Sequence, residues 1–486
     1  MTMSLTDALS IAISGVQTSA VAAQVISGNV ANAQTAGYTD KSLGLSEIIN
    51  GSGFGGVGIT SYNRVTNSVL SATLNNATSS ASYLSTQSNY MNQVQSILDS
   101  TGNPPALSSA LSNFQSAWTE YSANPSDVTL QKTVISSGET LSSTITGISS
   151  QVSTLQTNVE NDLSTSVQGL NTALAKITML NGEIATALAN NSSAVNLEDQ
   201  RDVAVNQVAQ YTAVTIMPRS NGQIALYTPG GTALVDGQAQ TFSTGTDPIT
   251  GDPCVTNAVG NNVSDQLTGG TLQAETDFLS SSTSTANGVG VVGKLQSQLL
   301  AFANAFISPA EGGFADTYDD ATTATGEQDS DFFTANTDAN GNISDLTSFA
   351  VNASLVNGKT SVKEAAATDV ANTFSATNLS IDTTKTPPVT TSTFTADGLT
   401  AQNQTYSGIS TAILSGFQQA ANAIQAQNAS ASTQQAYYQS SLSSQTGVNT
   451  DTELVNLTNW ENSYAASAHV ISTIQSMMKT LENMVS

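Results

Sequence analysis

Apolar residues recur at helical spacing along most of this chain, and the two extremities carry the clearest stripes. Leu5, Leu9, Ala12, Val16, Ala20, Ala23 and Val30 fall on one side of a helix predicted over about Ser4 to Val30. At about 1.5 Å per residue it would be on the order of 40 Å long. Leu457, Trp460, Tyr464, Ala468, Ile471, Ile474, Met478, Leu481 and Val485 repeat the pattern at the other end. An apolar stripe on an otherwise polar helix demands a partner. The simplest pairing is of the two stripes with each other as a coiled coil, within one molecule or between copies.

Between these ends the period changes several times. Residues 40 to 65 carry Gly51, Gly53, Gly55, Gly56 and Gly58 and read as extended or hairpin-like. Leu84, Met91, Val94 and Leu98 suit a helix, which Pro104 and Pro105 end. Leu107, Leu111, Phe114, Trp118 and Tyr121 step by four and three, and Asn124-Pro125 breaks that helix. Ser126 or Asp127 can cap the next one, whose stripe runs from Leu141 to Leu188. Gly147, Gly169 and Gly182 predict kinks in it, and its length implies a rod-like bundle with antiparallel neighbours. A short helix over Asn196 to Tyr211 precedes a change to period two. Val214 and Ile216 face Ile224, Leu226 and Tyr227 across Arg219-Ser220-Asn221-Gly222, a hairpin signal, with a third strand at Thr232 to Val235. Residues 240 to 290 read as turns, Leu295 to Phe306 as a helix, and Ser410 to Ser444 as another.

The fold class expected is mainly α with β. It has paired terminal helices, a long helical bundle in the middle and a small β-containing outer region. The domains expected are 1–40 with 445–486 as a terminal coiled coil, 41–310 with 405–444 as a helical rod carrying a β-hairpin segment, and 311–404 as a reduced outer subdomain or loops.

Composition narrows the chemistry. Lys and Arg total 11 against 36 Asp and Glu in 486 residues, a net charge of −25. A surface this acidic opposes nucleic acid and anionic lipid. The absence of any Lys or Arg before Lys41 removes the basic region of a cleavable signal peptide, and Gln17, Thr18, Ser19 and Gln24 interrupt a membrane span. Cys254 and His469 are the only residues of their types. No catalytic, cofactor-binding or metal-binding set emerges from the pattern, and no cofactor is expected. The Gly51 to Gly58 run lacks the Lys-Ser/Thr of a phosphate loop. Asp199, Arg201 and Asp202 read as helix-face ion pairs or caps. Asn336 to Ile343 spaces oxygen side chains as the start of a calcium loop does, with Gly341 at the sharp turn. Thr347 stands where a bidentate Glu is needed, so 336–347 reads as a polar turn.

Asn29-Val30-Ala31-Asn32-Ala33-Gln34-Thr35-Ala36-Gly37-Tyr38-Thr39 resembles the N-terminal signature of the axial proteins of the bacterial flagellum: rod, hook and hook-associated proteins. Ala36 replaces the usual Pro. Gly37 still permits a tight helix exit, and Asn32 can bond its own backbone. Gly447-Val448-Asn449, Glu453-Leu454, Asn456-Leu457 and Tyr464 to Ile471 resemble that family's terminal helix, with Trp460-Glu461 where an aromatic-Gln pair is usual. Asn196-Leu197-Glu198-Asp199-Gln200-Arg201-Asp202 resembles a motif of the hook-associated branch. Gly269 to Leu272 and Asp331 to Phe333 follow in the expected order.

The resemblance implies a non-enzymatic structural subunit at the hook–filament junction. It would polymerise as a ring or helical oligomer on the hook protein and lead through a second junction protein to flagellin. It also implies an export chaperone on the C-terminal helix, type III export without a cleaved signal, and an extracellular location. The terminal helices, with Asn32, Gly37 and Tyr38, would then form the assembly interface, and would order fully only on assembly. The alternatives are a hook or distal rod protein, or an adhesin or binding module on a helical stalk.

Overall fold

The structure is a computed structural model. It describes residues 5–49, 55–99, 106–280, 290–307, 313–319, 331–339, 341–376, 381–382, 389–390, 393–396, 399–402 and 404–485. Helix α1 (Leu5–Asn32) leads into an antiparallel hairpin of β1 (Lys41–Glu47) and β2 (Val57–Arg64), paired from Lys41↔Arg64 to Glu47↔Val57 with a register shift between Gly44 and Leu45. Helices α2 (Ser68–Leu98), α3 (Leu107–Ala123), α4 (Val128–Ala189) and α5 (Val195–Tyr211) follow. Asn67 caps α2 by accepting from Leu70 N at 3.0 Å, and Asp127 caps α4 by accepting from Thr129 N at 2.7 Å.

Helix α4 is the spine, against which α3, α5, α6 (Gly270–Leu279) and α7 (Val291–Ile307) all pack. Its 62 residues run as one helix through Gly138, Gly147, Gly169 and Gly182. Gly138 and Gly169 serve packing, not kinking. A methyl at Gly138 would meet the Phe332 ring at 2.8 Å, and one at Gly169 would collide with Tyr211.

The period-two segment forms a sheet of β3 (Thr215–Pro218), β4 (Ile224–Tyr227), β5 (Ala233–Asp236) and β6 (Gln238–Ala239), with Ile216 opposite Leu226. Residues 240 to 290, read as turns, instead contain the hairpin β7 (Phe242–Thr246) with β8 (Pro253–Asn257), and α6, whose Leu272, Phe278 and Leu279 are buried.

The region from 311 onward also differs from its expectation. Its α8 (Phe314–Asp319), β9 (Phe333–Thr337), β10 (Ile343–Val351), α9 (Ala353–Val356) and α10 (Ala367–Thr373) are not loops outside the rod. Phe314, Tyr318, Phe332, Phe333, Phe349 and Phe374 join Phe114, Trp118 and Phe306 in one aromatic core. Ring centroids lie 5.5 Å apart for Trp118–Phe332 and 5.6 Å for Phe114–Phe374. The described residues on either side of 308–312 therefore share one core. Short strands β11 (Ile381–Asp382), β12 (Val389–Thr390), β13 (Thr393–Ala396) and β14 (Leu399–Gln402) make a further sheet in the order β12-β11-β13-β14.

The segment 336–347 is a hairpin turn between β9 and β10. Asp338 Oδ1 accepts from Asn342 N at 3.0 Å and Asp345 Oδ1 from Thr347 N at 2.9 Å, so both carboxylates bond within the turn. Residue 340 lies outside the described residues.

Helix α11 (Tyr406–Thr446) returns along α2, and α12 (Thr450–Val485) runs back along α1. Tyr406 anchors α11 in the aromatic core, its hydroxyl donating to Ala305 O at 2.8 Å and accepting from Phe314 N at 3.0 Å. Among the described residues α1 alone is long and apolar enough by composition to cross a membrane.

Candidate assembly surface and the polar knot at its base

The α1–α12 pair is antiparallel. Asn29 bonds to Glu453 near one end, and a methyl at Gly15 would come within 2.8 Å of Ser467 Oγ farther along. Ala12, Ser19, Ala22, Ile26 and Asn29 are buried on α1, at heptad spacing with Gly15. The matching line on α12 is Glu453, Leu457, Trp460, Ser467, Ile471, Ile474 and Met478, of which Glu453 and Ile474 are buried. A second face of α1 takes the hairpin, with Val57 N donating to Ser14 Oγ at 3.2 Å.

The predicted stripe residues divide. Ala12 and Ile474 are buried. Leu5, Leu9, Val16, Ala23, Leu457, Trp460, Ile471 and Met478 are half-buried. Ala20, Val30, Tyr464, Ala468 and Leu481 are exposed, and the side chain of Val485 lies outside the described residues. The intrachain seam is thus rotated from the stripe, because Gly15, Ser19, Ala22 and Ser467 are small and allow close approach of the backbones. Ile13, Val30, Leu454, Val455, Tyr464, Val470, Met477, Leu481 and Met484 are left on the outside of the pair.

Beneath the pair lies a knot of charged groups. Asn29 is fully buried. Its Nδ2 donates to Asp40 Oδ1, Lys41 O and Glu453 Oε2, each at 2.8 Å, and its Oδ1 accepts from the Tyr38 hydroxyl at 3.1 Å. One side chain therefore joins α1, the hairpin entry and α12. Lys41 Nζ, itself buried, lies 2.7 Å from Asp199 Oδ2 on α5 and 3.1 Å over the Tyr38 ring. Arg64, at the end of β2, reaches Glu198 at 2.9 Å, Asp199 at 3.0 Å and Asp202 at 2.6 Å. Thr39 donates its backbone N and hydroxyl to the same Asp199 carboxylate.

Burial pulls the Lys41 ammonium below its ordinary range against the opposing pull of Asp199. Arg64 is driven up because the carboxylates of Asp202, Glu198 and Asp199 outweigh its burial. Burial, then the neighbouring Glu453, raises Asp40.

Asn32, Gly37 and Tyr38, expected on the assembly interface, make contacts within this chain, with Gly37 exposed and the other two half-buried. Asn32 Nδ2 bonds Gly28 O at 2.9 Å at the end of α1. Gly37 has φ +78°, and a side chain there would strike Val203 of α5. Tyr38 belongs to the knot. Asp199 and Asp202 pair not along their own helix but with Arg64 and Lys41, while Arg201 turns away and donates to Gly222 O at 2.7 Å. Asn29 and Glu453 stand in the two terminal signatures, but their pairing, and the hub roles of Lys41 and Arg64, escape a sequence reading. Their only signal is that two motifs carry charges without local partners.

Cys254 is buried in β8, whereas His469 lies exposed on α12. Among the described residues no group of three His, Cys, Asp or Glu side chains is arranged to hold a metal.

Residues 91–333, half of the chain, match the family model of the flagellar hook-associated protein FlgK helical domain. Residues 439–484 match that of the flagellar basal body rod FlgEFG protein C-terminal region. Flagellar hook-associated protein 1 of Bacillus subtilis is 26% identical over 220 residues, which is 43% of each chain. The protein of the same name from Salmonella typhimurium is 24% identical over 233 residues, covering 46% of this chain and 42% of its own length. The chain thus aligns with less than half the length of these curated relatives. The flagellar hook junction protein FlgK from Burkholderia pseudomallei gives a TM-score of 0.45 at 26% identity, covering 55% of this chain and 47% of that one.

Proposed function

This chain belongs to the flagellar hook-associated FlgK family, and on that footing we propose that it is a structural, non-catalytic subunit of the bacterial flagellum, polymerising on the distal end of the hook and allowing the filament to attach. The observation that carries this reading is the terminal pair. The first and last helices lie along each other over their length yet leave large apolar residues outside, from Val30 on α1 to Val470, Met477 and Leu481 on α12. A face of that kind on a chain of net charge −25 is suited to burial between copies. Head-to-tail contacts between identical subunits generate rings or helical tubes.

In this reading 1–40 with 445–486 form the inner layer, with α1 and α12 as the assembly surface, and the remainder forms the rod outside it. The partners are copies of itself, the hook protein, a second junction protein leading to flagellin, and an export chaperone on α12. The location is extracellular, reached by type III export without a cleaved signal.

Deletion of the gene in its host tests the assignment. Intact hooks with filament protein shed into the medium are expected. Missing hooks would overturn it in favour of a hook or rod role, which the match at 439–484 to rod-protein C-termini keeps as the second reading.

A further inference from the structure

A cavity of about 600 Å³ lies between α2, α4 and α6, away from the terminal pair and the knot. Its floor is acidic. Glu275 on α6 is only 1% exposed. Its Oε1 accepts from the Ser166 hydroxyl at 2.8 Å, while its buried Oε2 has no hydrogen-bond partner among the described residues. Asp162 on α4 accepts from the Tyr90 hydroxyl at 2.9 Å. The other lining residues carry hydroxyl or amide groups, among them Asn89 and Thr271, and among the described residues no Lys, Arg or His lines the cavity.

Two carboxyl groups face one cleft with no positive partner among the described residues, and one has an orphaned oxygen. Leaving such a group unpaired is costly, and a hydrogen-bonding cation is the chemistry that relieves it. The volume falls in the range of small-ligand sites and far exceeds the space of one water or bare ion. Tyr90, packed 5.0 Å from Phe278, supplies a fixed aromatic wall of the kind that suits an alkylammonium or guanidinium.

We propose that this cleft binds an organic cation, a primary ammonium or guanidinium group, held by Glu275 and Asp162 beside Tyr90. The group is either a lysine or arginine side chain of another protein or a free polyamine.

Titration calorimetry on the full-length chain in borate buffer above about pH 8, where the Glu275 carboxyl that burial lifts to that value is ionised, distinguishes these sources, with N-acetyl-lysine N-methylamide and spermidine as probes. Saturable one-to-one binding of at least one probe is expected, and the tighter probe identifies the source. Glu275→Gln and Asp162→Asn should each weaken binding by about tenfold or more, the loss of one charge-assisted hydrogen bond. Asp265→Asn, on the exposed surface, should leave it unchanged. Failure of both probes to bind at millimolar concentration would overturn the proposal. So would equal affinity in all three variants, the result of net charge alone. The measurement is made on unassembled protein, so its outcome is independent of the junction role.

Discussion

At the scale of single residues, two buried carboxylates make opposite predictions. Asp199 is the shared counter-ion of Lys41 and Arg64. Truncating it leaves the buried Lys41 ammonium without its anion, an error that typically destabilises by about 3–5 kcal/mol. Urea melts should show Asp199→Ala destabilised by about that much. Lys41→Met combined with Asp199→Leu should recover most of the loss, because the uncompensated charge is gone and Arg64 keeps Glu198 and Asp202. Glu275 is the reverse case. Burial lifts its pKa from 4.5 to about 8, with Ser166 pulling it back and Asp162 adding to the rise. Between those values the folded chain keeps a proton that the unfolded chain has lost. Stability therefore falls as pH rises from about 4.5 to about 8 and levels off above. Glu275→Gln should remove that component of the slope. It should match the parent near pH 4 and exceed it at pH 8 by up to about 4 kcal/mol, read from urea midpoints at each pH.

At the scale of elements, the helices differ sharply in what holds them. Twenty residues of α4 are buried, whereas in the described part of α12 only Glu453 and Ile474 are. Helical stability in proteins comes mostly from such packing. The α1–α12 pair is clamped at one end by Asn29 and Glu453. Hydrogen exchange on the free chain should show protection falling along both helices away from Asn29 and Glu453, with α4 slowest throughout. Uniform protection of the pair at the level of α4 would contradict this account.

The same comparison shows what was legible beforehand. The existence of α1, α4, α11, α12 and the β3–β4 hairpin follows from periodicity, and the cap at Asp127 from local chemistry. The seam was legible on α12, where Leu457, Trp460, Ile471, Ile474 and Met478 lie on both the stripe and the seam, but not on α1. A hydrophobic reading ranks Leu9, Val16 and Val30 above Gly15, Ser19 and Ala22, yet small residues set how closely two helices approach. The aromatic core was hidden for a different reason. Phe314, Tyr318, Phe332, Phe349 and Phe374 are scattered among short polar elements, so no window looks apolar, although they converge on Phe114 and Trp118. The knot joins Lys41 to Asp199 across the chain, a pairing that no local pattern encodes.

At the scale of the whole molecule, intrachain and interchain surfaces should separate by mutation. Ala22 and Ile474 are buried within the pair, whereas Val470 and Met477 are 46% and 50% exposed and seven positions apart on α12. Placing Asp at both exposed sites removes little of what the isolated chain buries, since neither residue belongs to its core. Val470→Asp with Met477→Asp should leave the melting temperature and circular dichroism of the free protein unchanged, because surface changes of this kind usually stay within about 0.5 kcal/mol. If the outer face is the surface between copies, the same pair puts two unpaired charges per subunit into a buried contact, where desolvation opposes docking strongly. Incorporation at the hook end should then fail, with the variant exported but found in the medium. Ile474→Asp should instead lower the stability of the pair itself. Net charge adds a condition. Copies carrying −25 each repel one another, and the Debye length shortens from about 30 Å at 0.01 M salt to about 8 Å at 0.15 M. Light scattering should therefore show parental self-association growing over that range, while the doubly substituted chain stays monomeric. Association of that variant at parental levels would move the interface between copies off α12 and onto another face of the rod.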